Sequence, residues 1–163
     1  MNRSIDFFAR QFDRQIAASD YELNPFERRV LPHLRGHVLD LGCGLGSLSL
    51  AAARRGHRVT AIDACANAVD DLQRRARREA LALDVVGSEL SHWKATSTYD
   101  SVVSIGLLMF FRCGEAAAVL AEMQRATRPG GVLAVNVLID GTTYLDMFEP
   151  GRFCLWSAQE LLS

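Results

Sequence analysis

The stretch Val38-Leu39-Asp40-Leu41-Gly42-Cys43-Gly44-Leu45-Gly46 constrains the fold of this chain more than any other. An apolar run meets an acid, breaks into alternating glycines and resumes as Ser47-Leu48-Ser49-Leu50-Ala51-Ala52-Ala53. A short apolar run ending in glycine reads as a buried strand, and the alanine-rich continuation as a helix. The glycines between them make a tight turn. Some must take positive φ, and at least one lets the backbone approach a ligand with no Cβ in the way. The free N–H groups of the helix start then lie beside that ligand. This is the first half of a nucleotide-binding β-α-β unit.

Glycine spacing and charge separate the kinds of nucleotide. The dinucleotide fingerprint G-x-G-x-x-G seats a pyrophosphate on the helix N-terminus. Here the glycines fall at Gly42, Gly44 and Gly46, so the third comes one position early. Asp40 also stands two residues before the first glycine and brings a carboxylate to the turn. That charge repels a pyrophosphate but suits a cation such as the amino group of a methionyl moiety. These residues resemble motif I, D-x-G-x-G-x-G, of the Rossmann-like (class I) S-adenosylmethionine-dependent methyltransferases.

The whole chain fits that reading. Its 163 residues make one domain with a sizeable core, divided as N-terminal helices or lid (1–35), cofactor-binding core (36–140) and tail (141–163). A formal charge of −1 gives no reason to expect a nucleic-acid partner. No apolar run of about 18 residues predicts a membrane span, and the N-terminus lacks the apolar segment of a signal peptide. Cys43, Cys65, Cys113 and Cys154 contain no C-x-x-C pair. Reduced thiols in a cytoplasmic protein, with no metal site, are expected.

In chain order, Ile5, Phe8, Phe12 and Ile16 at helical spacing predict an amphipathic helix over 5–16. Pro25 opens a second helix to about Leu34. Strands follow at 37–41, 58–62 and 83–87, with helices at 46–55 and 66–81 between them. Asp63 closes the second strand about 20 residues past the first glycine, where a ribose hydroxyl pair is received. Glu89, just past the third strand, is placed to accept from an adenine amine. A fourth strand at 99–105, a helix at 115–127, a turn at Arg128-Pro129-Gly130-Gly131 and a fifth strand at 132–138 complete the core. The order implies an α/β, doubly wound parallel sheet 3-2-1-4-5, with its ligand at the carboxyl ends of strands 1, 2 and 4. The arginine run at 74–78 reads as a solvated helix face.

Taken together, these residues resemble the small-molecule methyltransferases, most closely the tellurite-resistance (TehB-like) group. Tyr21-Glu22-Leu23, Ser104 with Leu108-Met109-Phe110, the segment Met123-Gln124-Arg125-Ala126-Thr127-Arg128-Pro129-Gly130-Gly131, and Phe153 with Glu160-Leu161 carry the likeness. The resemblance implies S-adenosyl-L-methionine as cofactor. Asp40, Gly42 and Gly44 would surround its methionyl part, Asp63 would take its ribose, Glu89 and Leu90 would flank its adenine, and Cys43 and Ala64 would also belong to the cofactor site. The backbone of Ile105 would accept from the methionyl amine. Pro25 and Ser47 stand where that group tends to carry arginines, which disfavours tellurite as the acceptor.

The family pattern has seven strands, and the last two are not visible here. Ser157 with Glu160 is a capping box announcing a final helix. An open fifth strand is then an apolar edge, and a homodimer through it is expected. In-line methyl transfer asks mainly for alignment, and Tyr21, Phe110, Arg112 and Tyr144 are the residues expected to position a small-molecule acceptor. Two other readings stay open: a cofactor-binding but non-catalytic interaction protein, and an NAD-dependent oxidoreductase.

Overall fold

In the computed structural model, which describes residues 3–143, 145 and 148–162, the glycine-rich turn leaves the central strand of a parallel sheet. β1 (His37–Leu41), β2 (Arg58–Asp63), β3 (Leu83–Gly87), β4 (Tyr99–Ser104) and β5 (Thr127–Val135) lie in the order β3-β2-β1-β4-β5. Helices connect β1 to β2, β2 to β3 and β4 to β5, and a helix-free segment leads from β3 across to β4. β1 is flanked on both sides, Val38 lying opposite Val59 of β2 and Ser101 of β4. A central parallel strand has both faces covered, which favours an apolar run; β1 reads His-Val-Leu-Asp-Leu, with Asp40 its one buried acid. Leu39 and Leu41 are fully buried.

Side chains alternate across the sheet and build two half-cores. Val38, Val59 and Val103 face α2 (Pro25–Val30) and α3 (Ser47–Arg54) through Val30, Leu48 and Ala52. On the opposite face Leu39, Leu41 and Val102 meet α5 (Cys113–Ala126) through Ala116, Val119 and Met123. α4 (Ala66–Arg78) joins the first layer, with Leu72 on Leu50 and Ala61.

The N-terminal helix α1 (Arg3–Ala18) packs on α4 rather than on the sheet. Asn67 Nδ2 donates to the Ala9 carbonyl and to Asp13 Oδ1, each at 2.8 Å. Below it, Arg75 is buried, paired to Asp71 at 2.8 Å and donating to the Leu45 carbonyl. Asn24 caps α2, accepting from the N–H groups of Phe26 and Glu27, while the Glu27 carboxylate accepts from Asn24 N at 2.7 Å. The second helix is shorter than expected. Pro32 has no N–H to bond backward, so the chain tightens into a 3-10 turn over Leu31–His33.

The largest difference from expectation lies at β5. It starts at Thr127 rather than 132 and ends at Val135 rather than 138. Tyr99 pairs with Thr127 and Ser101 with Val132, so the Arg128-Pro129-Gly130-Gly131 turn is held inside the strand as a bulge. Gly131 is obligatory there, because a Cβ would lie 2.8 Å from the backbone oxygens of Arg128 and Asp100. Beyond β5, β6 (Leu138–Ile139) pairs in parallel with β7 (Leu155–Trp156). The capping box then starts α6 (Ala158–Leu162), with Ser157 N donating to Glu160 Oε2 at 2.8 Å.

The thiols also differ from expectation. Cys113, the first residue of α5, is disulfide-bonded to Cys154 just before β7, and only Cys43 and Cys65 are free. Sequence spacing could not show this pair, because its partners are 41 residues apart and meet only when the tail returns to α5. Among the described residues, no helix is long and apolar enough to cross a membrane.

Closing a loop of this length restricts the unfolded chain by about 4 kcal/mol. Reduction, or Cys113→Ser, is therefore expected to lower the unfolding free energy by roughly that amount in urea titrations. Superimposable curves with and without reductant would contradict a stabilising bond.

Candidate functional site

One cavity of about 490 Å³ opens at the carboxyl ends of the central strands. Its floor is the turn after β1, where Gly42, Gly44 and Gly46 have φ of +76°, +52° and +68°. At Gly46 the conformation and the space both exclude a side chain, since a Cβ would approach Leu72 Cδ2 to 2.4 Å. At Gly44 a Cβ would lie 3.0 Å from Phe12 Cζ, so α1 comes down directly onto the turn.

Asp63 holds this floor in place. Its Oδ2 accepts from Gly44 N at 2.8 Å and its Oδ1 from Cys65 N at 2.8 Å. Each carboxylate oxygen has a further lone pair, so Asp63 can also receive ligand hydroxyls. Glu89 lies across the cavity, its Oε2 accepting from Ser91 N and Ser91 Oγ at 3.0 and 2.6 Å. The third side is the segment after β4. There Gly106 N donates to Asn136 Oδ1 at 2.6 Å, which ties Gly106 to the chain just beyond β5. Sequence reasoning missed Asn136, because nothing local marks it as a partner of residue 106.

Asp40 lies behind the floor, 4% exposed, and accepts from Ser49 Oγ at 2.6 Å. Burial pushes its pKa up to about 7; the Glu27 and Asp63 carboxylates add to the rise, and the Ser49 hydrogen bond opposes it. Burial also raises the Cys43 thiol well above its usual range and Cys65 to about 12, so neither is an activated nucleophile.

Most of the residues expected at the site meet in this one place. Gly42, Cys43 and Gly44 line it, with Asp63 and Ala64 from the end of β2. Glu89 and Leu90 line it past β3, and Ile105 and Phe110 past β4. The other acceptor candidates are placed differently. The Tyr21 ring lies over the Arg75 guanidinium at 3.9 Å, pinning the α1–α2 connection to α4 rather than lining the cavity. Arg112 is exposed at the start of α5, where its N–H donates to Glu115 Oε2 at 3.1 Å. Tyr144 lies outside the described residues. The cavity instead takes much of its wall from α1, through Phe8 and Phe12, with Asp20, Glu22 and Glu27 beyond it. The apolar stripe of α1 was legible as a stripe; that it faces the glycine turn was not.

Among the described residues, no lysine, arginine or histidine lines this cavity, and no group of three His, Cys, Asp or Glu is placed to hold a metal. A glycine floor, two carboxylates at adjacent strand ends and the absence of lining cations fit an adenosyl sulfonium, which carries positive charge.

Residues 38–131, more than half of the chain, match the family model described as "Methyltransferase domain". The chain belongs to this family, the Rossmann-like S-adenosylmethionine-dependent methyltransferases. Among its relatives, a malonyl-[acyl-carrier protein] O-methyltransferase of Serratia marcescens is 34% identical over 111 residues, covering 68% of this chain and 41% of the relative. TehB of Haemophilus influenzae (strain 10810) is 31% identical over 125 residues, covering 77% of this chain and 43% of the relative. The crystal structure of TehB from Haemophilus influenzae superposes with a TM-score of 0.73 at 24% identity, over 85% of this chain and 48% of that one, which is a likeness of fold. The chain spans less than half the length of these relatives.

In an empty folded chain Asp40 is protonated until about pH 7, whereas unfolded it ionises near 4. Its burial therefore leaves stability intact below about pH 4 and erodes it as pH rises toward 7. The ammonium group of a methionyl moiety or its demethylated counterpart, bound over the turn, favours the ionised form and reverses that shift. Affinity for S-adenosylhomocysteine is expected to rise from about pH 5 to about pH 7 and then level off, with proton release near pH 6. Calorimetry in buffers of different ionisation enthalpy measures this, and Asp40→Asn should remove it. A flat profile in the unsubstituted protein would contradict a role for Asp40.

Proposed function

We propose that this chain binds S-adenosylmethionine in the cavity described and directs its methyl group to a small-molecule acceptor entering between α1 and the segment after β4. The observation that carries the reading is the meeting, in one cavity, of the glycine turn, Asp63 and Glu89 from three strand ends. In this reading Asp63 receives the ribose hydroxyls, Glu89 and Leu90 frame the adenine, and the glycine turn, with Asp40 buried behind it, lies under the methionyl part. When bound, the cofactor supplies an electrophilic methyl on a positively charged sulfur.

The chain's own contribution is positional. Holding an acceptor atom in line with that methyl removes orientational freedom, worth up to about 7–11 kcal/mol of barrier. The aromatic and aliphatic lining, including Phe8, Phe110, Leu107 and Met109, keeps water from competing. An acceptor that binds protonated must first lose a proton, and Glu27, half-buried with its pKa raised by that burial, is the lining carboxylate suited to take it. Relatives that act on a carrier-bound acyl group or stand in the TehB group support methyl transfer as a class without fixing the acceptor.

Asp63→Asn is expected to weaken S-adenosylhomocysteine binding about tenfold or more, the loss of a charged hydrogen-bond acceptor. Calorimetry reads the affinity, and transfer of isotope-labelled methyl to a panel of small acceptors reads the activity. Unchanged affinity in Asp63→Asn would remove the ribose assignment. Cofactor binding with no transfer to any acceptor would leave a binding protein in place of an enzyme.

A further inference from the structure

The cofactor does not account for all the negative charge at this cavity. Asp63 and Glu89 sit at the strand ends and are used in the reading above. Asp20, Glu22 and Glu27 also line the cavity, from the connection between α1 and α2 and from the first turn of α2. Among the described residues no cation lines the cavity with them; Glu22 pairs with Arg28, an exposed side chain 3.3 Å away that does not line the cavity. S-adenosylmethionine brings two cationic centres and one carboxylate, a net single positive charge. Five carboxylates line the cavity, and with Glu22 paired to Arg28 the other four still exceed that single positive charge.

The same side of the cavity is aromatic. Phe8 of α1 meets Phe110 edge to face at 4.9 Å and stacks on Phe12 at 5.8 Å, and all three rings line the cavity. Ring faces carry negative potential and attract cations, as carboxylates do. Anionic acceptors are repelled by both features, and a hydroxyl acceptor would have to become an anion against the same field.

Resting on the methyl-transfer reading, we infer that the acceptor is an amine on an apolar or aromatic body, held by the rings of Phe8 and Phe110 and by the Asp20, Glu22 and Glu27 carboxylates. The bound ammonium gives one proton to a carboxylate, for which Glu27 is the half-buried choice of the three. The nitrogen lone pair then forms a bond to the methyl carbon as the carbon–sulfur bond breaks, its electron pair staying on sulfur as a neutral thioether. The product is an N-methylammonium, and Glu27 returns its proton to water. Positive charge moves from sulfur to nitrogen within one anionic, aromatic enclosure, so charge separation is small throughout.

Three probes with one aromatic body test this: 2-phenylethylamine, 2-phenylethanol and 3-phenylpropanoate, titrated calorimetrically at pH 7 into protein first saturated with S-adenosylhomocysteine. The first titration stands alone, because failure to take up S-adenosylhomocysteine overturns the cofactor reading itself. With the cofactor product bound, the amine is expected to bind at least tenfold more tightly than the alcohol, and the carboxylate more weakly than both. In Asp20→Asn/Glu22→Gln, whose side chains are exposed and whose fold should survive, the amine preference should fall severalfold with S-adenosylhomocysteine affinity kept. Equal binding of amine and alcohol, preference for the carboxylate, no uptake of the amine, or an undiminished preference in the double variant would each overturn the inference.

Discussion

Two hydrogen bonds to one carboxylate hold the centre of this molecule together. Asp63, the last residue of β2, accepts from Gly44 N in the turn after β1 and from Cys65 N at the entry to α4. Hydrogen bonds to a charged acceptor are worth roughly 1.5–3 kcal/mol each, enough to fix a glycine turn that otherwise has many conformations. The pairing of β1 with β2 brings the two strand ends level, with Leu41 opposite Ile62. A residue whose type suits a ribose thus also sets the shape of the floor on which that ribose would rest.

Helix α1 is joined to this floor by packing and hydrogen bonds. Phe12 touches Gly44, Asn67 holds the α1 backbone, and the Tyr21 ring lies on the buried Arg75. Arg75 in turn donates to the carbonyl of Leu45, inside the glycine turn. The α1–α2 connection and the glycine turn therefore share one buried cation. A chain of rings runs from Phe8 through Phe110 to Phe148 and Phe153, linking α1 to the tail.

The sheet order and the strand-end residues were legible in the sequence because they rest on local signals. An apolar run ending at Asp40 and Gly42, and another ending at Asp63, each declare a strand and its carboxyl end. Gly42, Cys43, Gly44, Asp63, Ala64, Glu89, Leu90, Ile105 and Phe110 reach the cavity through topology alone. What was not legible depends on distant pairing. The bulge in β5 arises from Gly131 pressed against the Asp100 carbonyl, and β6 finds its partner β7 across the tail. The bond between Cys113 and Cys154 has the same character. Tyr21 and Arg112 carry suitable chemistry, but stacking on Arg75 and the start of α5 give them other surroundings.

Charge at the turn is the feature on which the functional reading turns: a glycine bend lined by the Asp63 and Glu89 carboxylates should prefer an adenosyl cation to a pyrophosphate. Parallel calorimetric titrations of the protein with S-adenosylmethionine and with NAD⁺ at neutral pH compare these two directly. Saturable, one-to-one uptake of S-adenosylmethionine with none of NAD⁺ is the expected result. Uptake of NAD⁺ with none of S-adenosylmethionine would contradict it.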